Sequence, residues 1–191
     1  MKNILVITGS PRKNGNSDML AEAFIRGARA AGLHTMRFDA GRKSIGGCKA
    51  CKGCWSKGAP CIVRDDFDEL ASLLEEADAI ILASPLYWFG FTAQIKAAID
   101  RLYPYQTENC PRPLKIRECA LLACAADDKG PIFEGIAATY REIAGYMEWT
   151  DKGMILVPAV DEKGAIQAGD ALKKAEELGA SFANRPKGMF Y

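Results

Sequence analysis

Lys2-Asn3-Ile4-Leu5-Val6-Ile7-Thr8 runs directly into Gly9-Ser10-Pro11-Arg12-Lys13-Asn14-Gly15-Asn16-Ser17-Asp18. Four consecutive apolar residues, three of them β-branched, read as a strand buried on both faces. The glycine, proline, basic and small polar residues that follow read as a loop before a helical pattern begins. A buried strand that feeds a helix through a polar loop puts that loop at the C-terminal edge of an open α/β sheet, where N–H groups, hydroxyls and a helix start converge. Such a spot suits a phosphate. Arg12 offers a two-pronged guanidinium, Ser10 and Ser17 offer hydroxyls, and the helix start adds roughly 0.3–1 kcal/mol of attraction for an anion. Gly9 and Gly15 do not make a GxGxxG, and no Gly-Lys-Ser/Thr follows, so neither the dinucleotide fingerprint nor the triphosphate loop is present. A mononucleotide is the sharper reading; a loop that only caps its helix is the plainer one.

With 191 residues, 49% of them hydrophobic, and a formal net charge of +1, the composition fits one ordinary folded domain. It argues against disorder and against a nucleic-acid coat. No apolar run is long enough to span a membrane, and Lys2 precedes a strand rather than a secretory core, so a cytoplasmic location is expected. The chain has seven cysteines, an odd number, with Cys48, Cys51, Cys54 and Cys61 crowded together and Cys110, Cys119 and Cys124 scattered. Thiols rather than a disulfide framework are expected.

Further along, Leu20, Phe24, Ala28 and Ala31 recur at helical spacing until Gly32, and Thr35-Met36-Arg37-Phe38 reads as a weaker strand. Periodicity then vanishes from 40 to 64 under glycine, lysine and cysteine, an insertion of a length that loops in compact domains carry for a purpose. Asp65 and Asp66 open a helix with Phe67, Leu70, Leu73 and Leu74 on one side. Ala79-Ile80-Ile81-Leu82-Ala83 is a strand, and Ile95, Ile99 and Leu102 mark the helix after it. Glu118–Cys124, the face Ile136, Tyr140, Ile143 and Met147, the run Met154–Val157, and the face Leu172, Ala175, Leu178 and Phe182 complete the alternation. These elements predict a five-stranded parallel sheet between two helical layers, in the doubly wound order 2-1-3-4-5. Residues 1–184 form the domain, with the cysteine-rich insertion over 40–64 and a tail over 185–191.

That order makes the loops after the first and third strands face one another at the switch point. One side binds phosphate; the other, Pro85-Leu86-Tyr87-Trp88-Phe89, offers flat apolar surface. A mononucleotide with a planar head, FMN, satisfies both better than NAD, whose ribose would need an acid after the second strand; Asp39 is the candidate for that. His34 is the only histidine and reads as a surface or packing residue, so no catalytic triad or Cys-His pair is assigned, and the chemistry falls to a cofactor.

Gly9-Ser10-Pro11-Arg12 with Gly15-Asn16-Ser17, then Ser84-Pro85-Leu86-Tyr87-Trp88, and Thr92 through Lys96 to Asp100-Arg101 resemble the NAD(P)H-dependent FMN reductase group of flavodoxin-like proteins. The resemblance implies a flavodoxin-like three-layer sandwich. It also implies FMN phosphate held by Ser10, Arg12, Asn16 and Ser17, the flavin ring met by Pro85, Leu86, Tyr87, Trp88 and Phe89, and further contacts from Ala125 and Asp127. NAD(P)H is the implied co-substrate. Where relatives often carry a Ser/Gly-rich loop after the fourth strand, this chain has Ala125-Ala126-Asp127-Asp128.

Cys48, Cys51 and Cys54 form C-x2-C-x2-C, and Cys61 follows after six residues. Four thiolates so spaced can enclose a [4Fe-4S] cube, and the motif resembles that of the iron–sulfur flavoproteins; zinc or free redox thiols remain the alternatives. The expected activity is electron transfer from NAD(P)H through FMN to a quinone, flavin or other small acceptor. A cluster would shift the expectation to a carrier serving a redox protein, and a non-catalytic thiol sensor is the rival. A homodimer or homotetramer with FMN near the subunit boundary is expected, because a shallow flavin crevice needs a lid and aromatics favour interfaces.

Overall fold

The computed structural model describes residues 1–183, and the tail expected over 185–191 lies outside the described residues. The elements alternate as β1 (Asn3–Thr8), α1 (Asn16–Ala30), β2 (His34–Phe38), α2 (Phe67–Glu76), β3 (Ala79–Pro85), α3 (Ala93–Asp100), β4 (Glu118–Cys124), α4 (Glu134–Tyr146), β5 (Thr150–Val157) and α5 (Ala171–Ser181). All five strands pair in parallel in the order β2-β1-β3-β4-β5, the flavodoxin-like arrangement expected. Among the described residues no helix is long and apolar enough to cross a membrane.

Side chains alternate across a strand, so each central strand feeds both faces. Ile4, Val6, Ile81 and Leu122 pack with Leu20, Phe24 and Ala28 of α1 and Ala175 of α5. Leu5, Ile7, Ile80, Leu82 and Leu121 pack on the other face with Phe67 and Leu70 of α2, Ile95 of α3, and Ile136 and Tyr140 of α4. The chain after β1 therefore goes to one face and the chain after β3 to the other, which opens a crevice between the two loops.

The last strand begins four residues before the apolar run predicted for it, at Thr150 rather than Met154. β5 is the sheet edge, where polar residues face solvent. Its register with β4 shifts between Cys119 and Leu121, opposite Asp151 and Met154, and Gly153 takes a φ of +129° within that irregularity. A bulge in an edge strand erases the alternation that would mark its first half.

α1 and α5 cross at two glycines. A Cβ on Gly27 would lie 1.9 Å from the carbonyl oxygen of Glu176, and one on Gly179 would lie 2.1 Å from that of Phe24. The obstacles are backbone atoms, which cannot rotate aside. Gly27→Ala should therefore destabilise the protein at or above the upper end of the roughly 1–3 kcal/mol typical of overpacking, outweighing the roughly 1 kcal/mol that alanine gains in helix propensity. Urea unfolding measures this, and an unchanged or raised midpoint would mean the helices do not touch there.

Candidate functional site

The first loop is fixed before any ligand enters. The N–H of Gly9 donates to the carbonyl of Ala83 at 2.8 Å, and the hydroxyl of Thr92, which caps α3, donates to the carbonyl of Gly9 at 2.9 Å. A Cβ on Gly41 would sit 2.2 Å from the carbonyl oxygen of Ser10, so the turn after β2 presses directly on this loop. Ser10 Oγ accepts from the N–H of Arg12 at 3.1 Å. Asp18 in the first turn of α1 accepts from the N–H of Asn14 and pairs with Arg37, while Arg12 is exposed and forms no ion pair among the described residues. Gly15, the N-cap of α1, brings no capping side chain. The first-turn N–H groups thus keep capacity for an anion.

A crevice of about 150 Å³ joins the two loops, lined by Ser10, Arg12, Asn16 and Ser17 on one side and Pro85, Leu86 and Tyr87 on the other. Cys124, Ala125 and Ala126 form its floor, and Val160, Asp161 and Lys163 close its far rim. Sequence reasoning passed over the 160–163 segment. Its signal was a polar loop at the C-terminal end of β5, on the same sheet edge as the other two. Trp88, Phe89 and Asp127 do not line the crevice. The Asp127 carboxylate accepts from the N–H groups of Asp128 and Lys129 in its own turn, at 2.8 and 3.0 Å. Burial pushes the Cys124 thiol up to about 11, so this wall is neutral at ordinary pH.

Asn16 spends its side chain on the rim. Its Nδ2 donates to the carbonyls of Val160 and Glu162 at 2.8 and 2.9 Å, and its Oδ1 accepts from the N–H groups of Gly164 and Ile166 at 3.0 and 3.4 Å. What Asn16 leaves for a phosphate is backbone.

Asp39 answers to protein groups as well. It accepts from Thr8 Oγ1 at 2.8 Å and Arg37 Nε at 2.7 Å, and pairs with Arg42 at 2.5 Å. Burial raises its carboxyl, and the bonds from Thr8 and Arg37 outweigh this and hold it below the usual range. An acid so engaged is not available to read a ribose.

Beyond the crevice wall, Tyr87 and Gly90 exchange N–H···O bonds at 3.1 Å around Trp88 and Phe89, whose φ values are +47° and +63°. Both central residues in the left-handed region is the signature of a type I′ hairpin turn, normally the place of Asn-Gly. Each such residue costs about 1–2 kcal/mol. The turn holds Trp88 96% exposed and Phe89 58% exposed, and it rests on α4, where a Cβ on Gly135 would meet Phe89 O at 2.6 Å.

The second cavity, about 490 Å³, gathers Cys48, Cys51, Cys54 and Cys61 with Val63, Arg101, Tyr103 and Pro104. All four cysteines that the spacing grouped therefore line one space. Burial, then the neighbouring Cys61 and Cys48, push the Cys54 thiol up. Ala50 and Lys52, on either side of Cys51, take φ values of +50° and +55°. From Gly47 to Cys54 no backbone N–H donates to a protein group among the described residues. Left-handed residues at alternate positions of a short loop are a backbone feature of anion and iron–sulfur nests. Among the described residues no three His, Cys, Asp or Glu side chains stand arranged to hold a metal ion, so loading would have to draw the sulfurs together.

A family model described as NADPH-dependent FMN reductase matches residues 2–133. The chain is 37% identical over 183 residues to an iron-sulfur flavoprotein of Archaeoglobus fulgidus, covering 93% of this chain and 77% of the relative. It is 36% identical over 151 residues to an iron-sulfur flavoprotein of Methanosarcina thermophila, covering 79% and 74% of the two chains. The fold is similar to that of the NAD(P)H:quinone oxidoreductase from Methanothermobacter marburgensis, with a TM-score of 0.74 at 18% identity, covering 97% of this chain and 98% of that one.

Asn16→Ala should release the 160–166 segment. The four lost bonds leave the buried N–H of Ile166 and three more accessible backbone groups without their partner, an expected loss of about 1–2 kcal/mol by urea unfolding. Amide exchange at Gly164 and Ile166 should accelerate while the strands keep their protection. Unchanged exchange there would mean that other contacts hold the rim.

Proposed function

The chain belongs to the NADPH-dependent FMN reductase family, and from that premise we propose that it binds FMN in the crevice between the β1 and β3 loops and passes electrons from NAD(P)H to a small acceptor such as a quinone or a flavin. The observation that carries this reading is the meeting of Ser10, Arg12 and the α1 N-terminus with Pro85, Leu86 and Tyr87 in one crevice. A single anion nest and a fully engaged Asp39 favour a mononucleotide over a dinucleotide.

When bound, FMN supplies hydride transfer and single-electron chemistry at its ring. The chain's own residues hold it there. Arg12 presents its fork to the phosphate, Ser10 and Ser17 add hydroxyls, and the first turn of α1 adds its N–H groups. Lys163 brings a further positive charge from the rim. The N–H groups of Leu86 on the wall and Ala125 on the floor are taken by the carbonyls of Cys124 and Val157, whereas Ala126 N–H has no protein acceptor among the described residues and can serve the ring edge. Pro85 and Tyr87 give the ring a flat wall, and Trp88 and Phe89 act from outside it.

The crevice encloses less than the roughly 300–1,000 Å³ usual for a small-molecule site. A homodimer or homotetramer, in which a second copy covers the ring beside the exposed Trp88 and Phe89, supplies the missing enclosure. A cytoplasmic location fits such a reductase.

The cysteine cavity supports a second cofactor. Cys48, Cys51, Cys54 and Cys61 around one space, with amides from Gly47 to Cys54 that have no protein acceptor among the described residues, suit a [4Fe-4S] cluster in the manner that the names of the archaeal relatives imply. A cluster there would relay single electrons between the flavin and a redox protein. Zinc would use the same thiolates without the relay.

Arg12→Ala should weaken FMN binding by roughly 1.5–3 kcal/mol, about 10- to 150-fold by flavin fluorescence titration; unchanged affinity would remove Arg12 from the phosphate site. Cys54→Ala, prepared without oxygen, should lose iron and acid-labile sulfide while retaining FMN. Wild-type protein that takes up neither after reconstitution would leave a thiol loop and an FMN reductase without a cluster.

A further inference from the structure

Arg101 ends α3 and turns its side chain inward, unlike Lys96 and Asp100, which pair on the helix surface. It is 2% exposed, the largest of the fully buried side chains. Its Nη1 donates to the carbonyl of Gly46 at 3.2 Å and to Asp65 Oδ2 at 2.6 Å, and its Nη2 donates to the carbonyl of Val63 at 2.9 Å. The guanidinium lies 4.3 Å from the centre of the Phe67 ring. Asp65 completes the knot, accepting from the N–H of Gly46 at 3.0 Å and that of Phe67 at 2.9 Å. One ion pair, its arginine buried and its carboxylate partly so, thus ties the chain entering the cysteine segment to the chain leaving it.

Resting on the reading of that segment as a cluster site, we propose that Arg101 and Asp65 are its positioning pair: they close the neck of the 47–62 loop and set a buried cation against the space the four cysteines surround. Three observations carry this beyond ordinary packing. Arg101 lines the same cavity as the cysteines. The amides from Gly47 to Cys54 make no hydrogen bonds to protein groups among the described residues, so the bonds that tie the cysteine-bearing arm to the rest of the fold are those of its neck and the one that Trp55 Nε1 donates to the carbonyl of Pro104 at 2.8 Å. Finally, Arg101 Nε is buried with no partner among the described residues. A buried ion pair is weak evidence for stability, since apolar replacements often serve as well, and an unpaired buried N–H is destabilising in itself. Both make sense where the cavity holds anionic sulfur that can take the Nε–H. Lysine would keep the charge and lose the planar fork that reaches Gly46, Val63 and Asp65 at once.

The test uses FMN-loaded protein carrying Arg101→Lys or Asp65→Asn, the milder changes chosen because an apolar residue at Arg101 endangers folding. After anaerobic reconstitution with iron and sulfide, both variants should surrender iron to a ferrous chelator about 10–100-fold faster than wild type, the usual effect of removing a group that orients metal ligands. FMN affinity should stay within about twofold, because no crevice residue has changed. Arg101→Lys should also lower the reduction potential of the loaded site, which N–H donation to sulfur raises and a purely structural role would leave alone. In metal-free protein, trypsin should cut after Lys49, Lys52 and Lys57 about tenfold faster in both variants, as expected when a local opening equilibrium is eased. Wild-type rates of iron release and of cleavage in both variants would overturn the proposal. Wild-type protein that takes up no iron would overturn the cluster reading, and the cleavage rates would then decide the neck alone.

Discussion

Gly9 N–H donates to Ala83 O at 2.8 Å, and Thr92 Oγ1 donates to Gly9 O at 2.9 Å. These two bonds lie where β1 and β3 run side by side and their connections part to opposite faces of the sheet. Parallel pairing fixes the strand ends at one level, and the parting leaves a gap that no side chain of the sheet can fill. Because both bonds use Gly9, they tie the start of the Ser10–Ser17 loop to the end of β3 and to the α3 N-terminus. Gly41, pressed on Ser10, adds the turn after β2 to these contacts. The start of the phosphate-side loop is thus anchored by backbone contacts, as a site that must hold a charged group in register requires.

The other side carries the strain. Trp88 and Phe89 occupy left-handed backbone that glycine or asparagine would occupy more easily, and Ala50 and Lys52 do the same beside Cys51. Left-handed non-glycine residues persist where the surrounding structure holds them and where function repays the loss. Both places flank a cavity, one at the wall of the crevice and one among the thiols.

The fold was legible because its central strands are apolar on both faces: Ile4–Ile7, Ile80–Leu82 and Ala120–Ala123 cannot be anything but buried. β5 was half legible, since an edge strand with a bulge shows its pattern only where both faces are covered. At the site, residue types announced the anion nest and the cysteine spacing announced a common cavity, but partners were not legible. Asn16 reads as a polar loop residue whether it faces a ligand or, as here, four backbone groups some 144 to 150 residues away. Asp39 reads as free until Thr8, Arg37 and Arg42 are seen around it. Arg101 follows a surface acid at the end of an amphipathic helix, and nothing local reveals that it turns inward to hold a distant loop.

The account is tested most directly by the crystal structure of the protein soaked with FMN. It predicts density for the phosphate among Ser10, Arg12, Ser17 and the first turn of α1, with the flavin ring against Pro85 and Tyr87. A phosphate bound elsewhere, or a flavin-free crevice at saturating FMN, would contradict it.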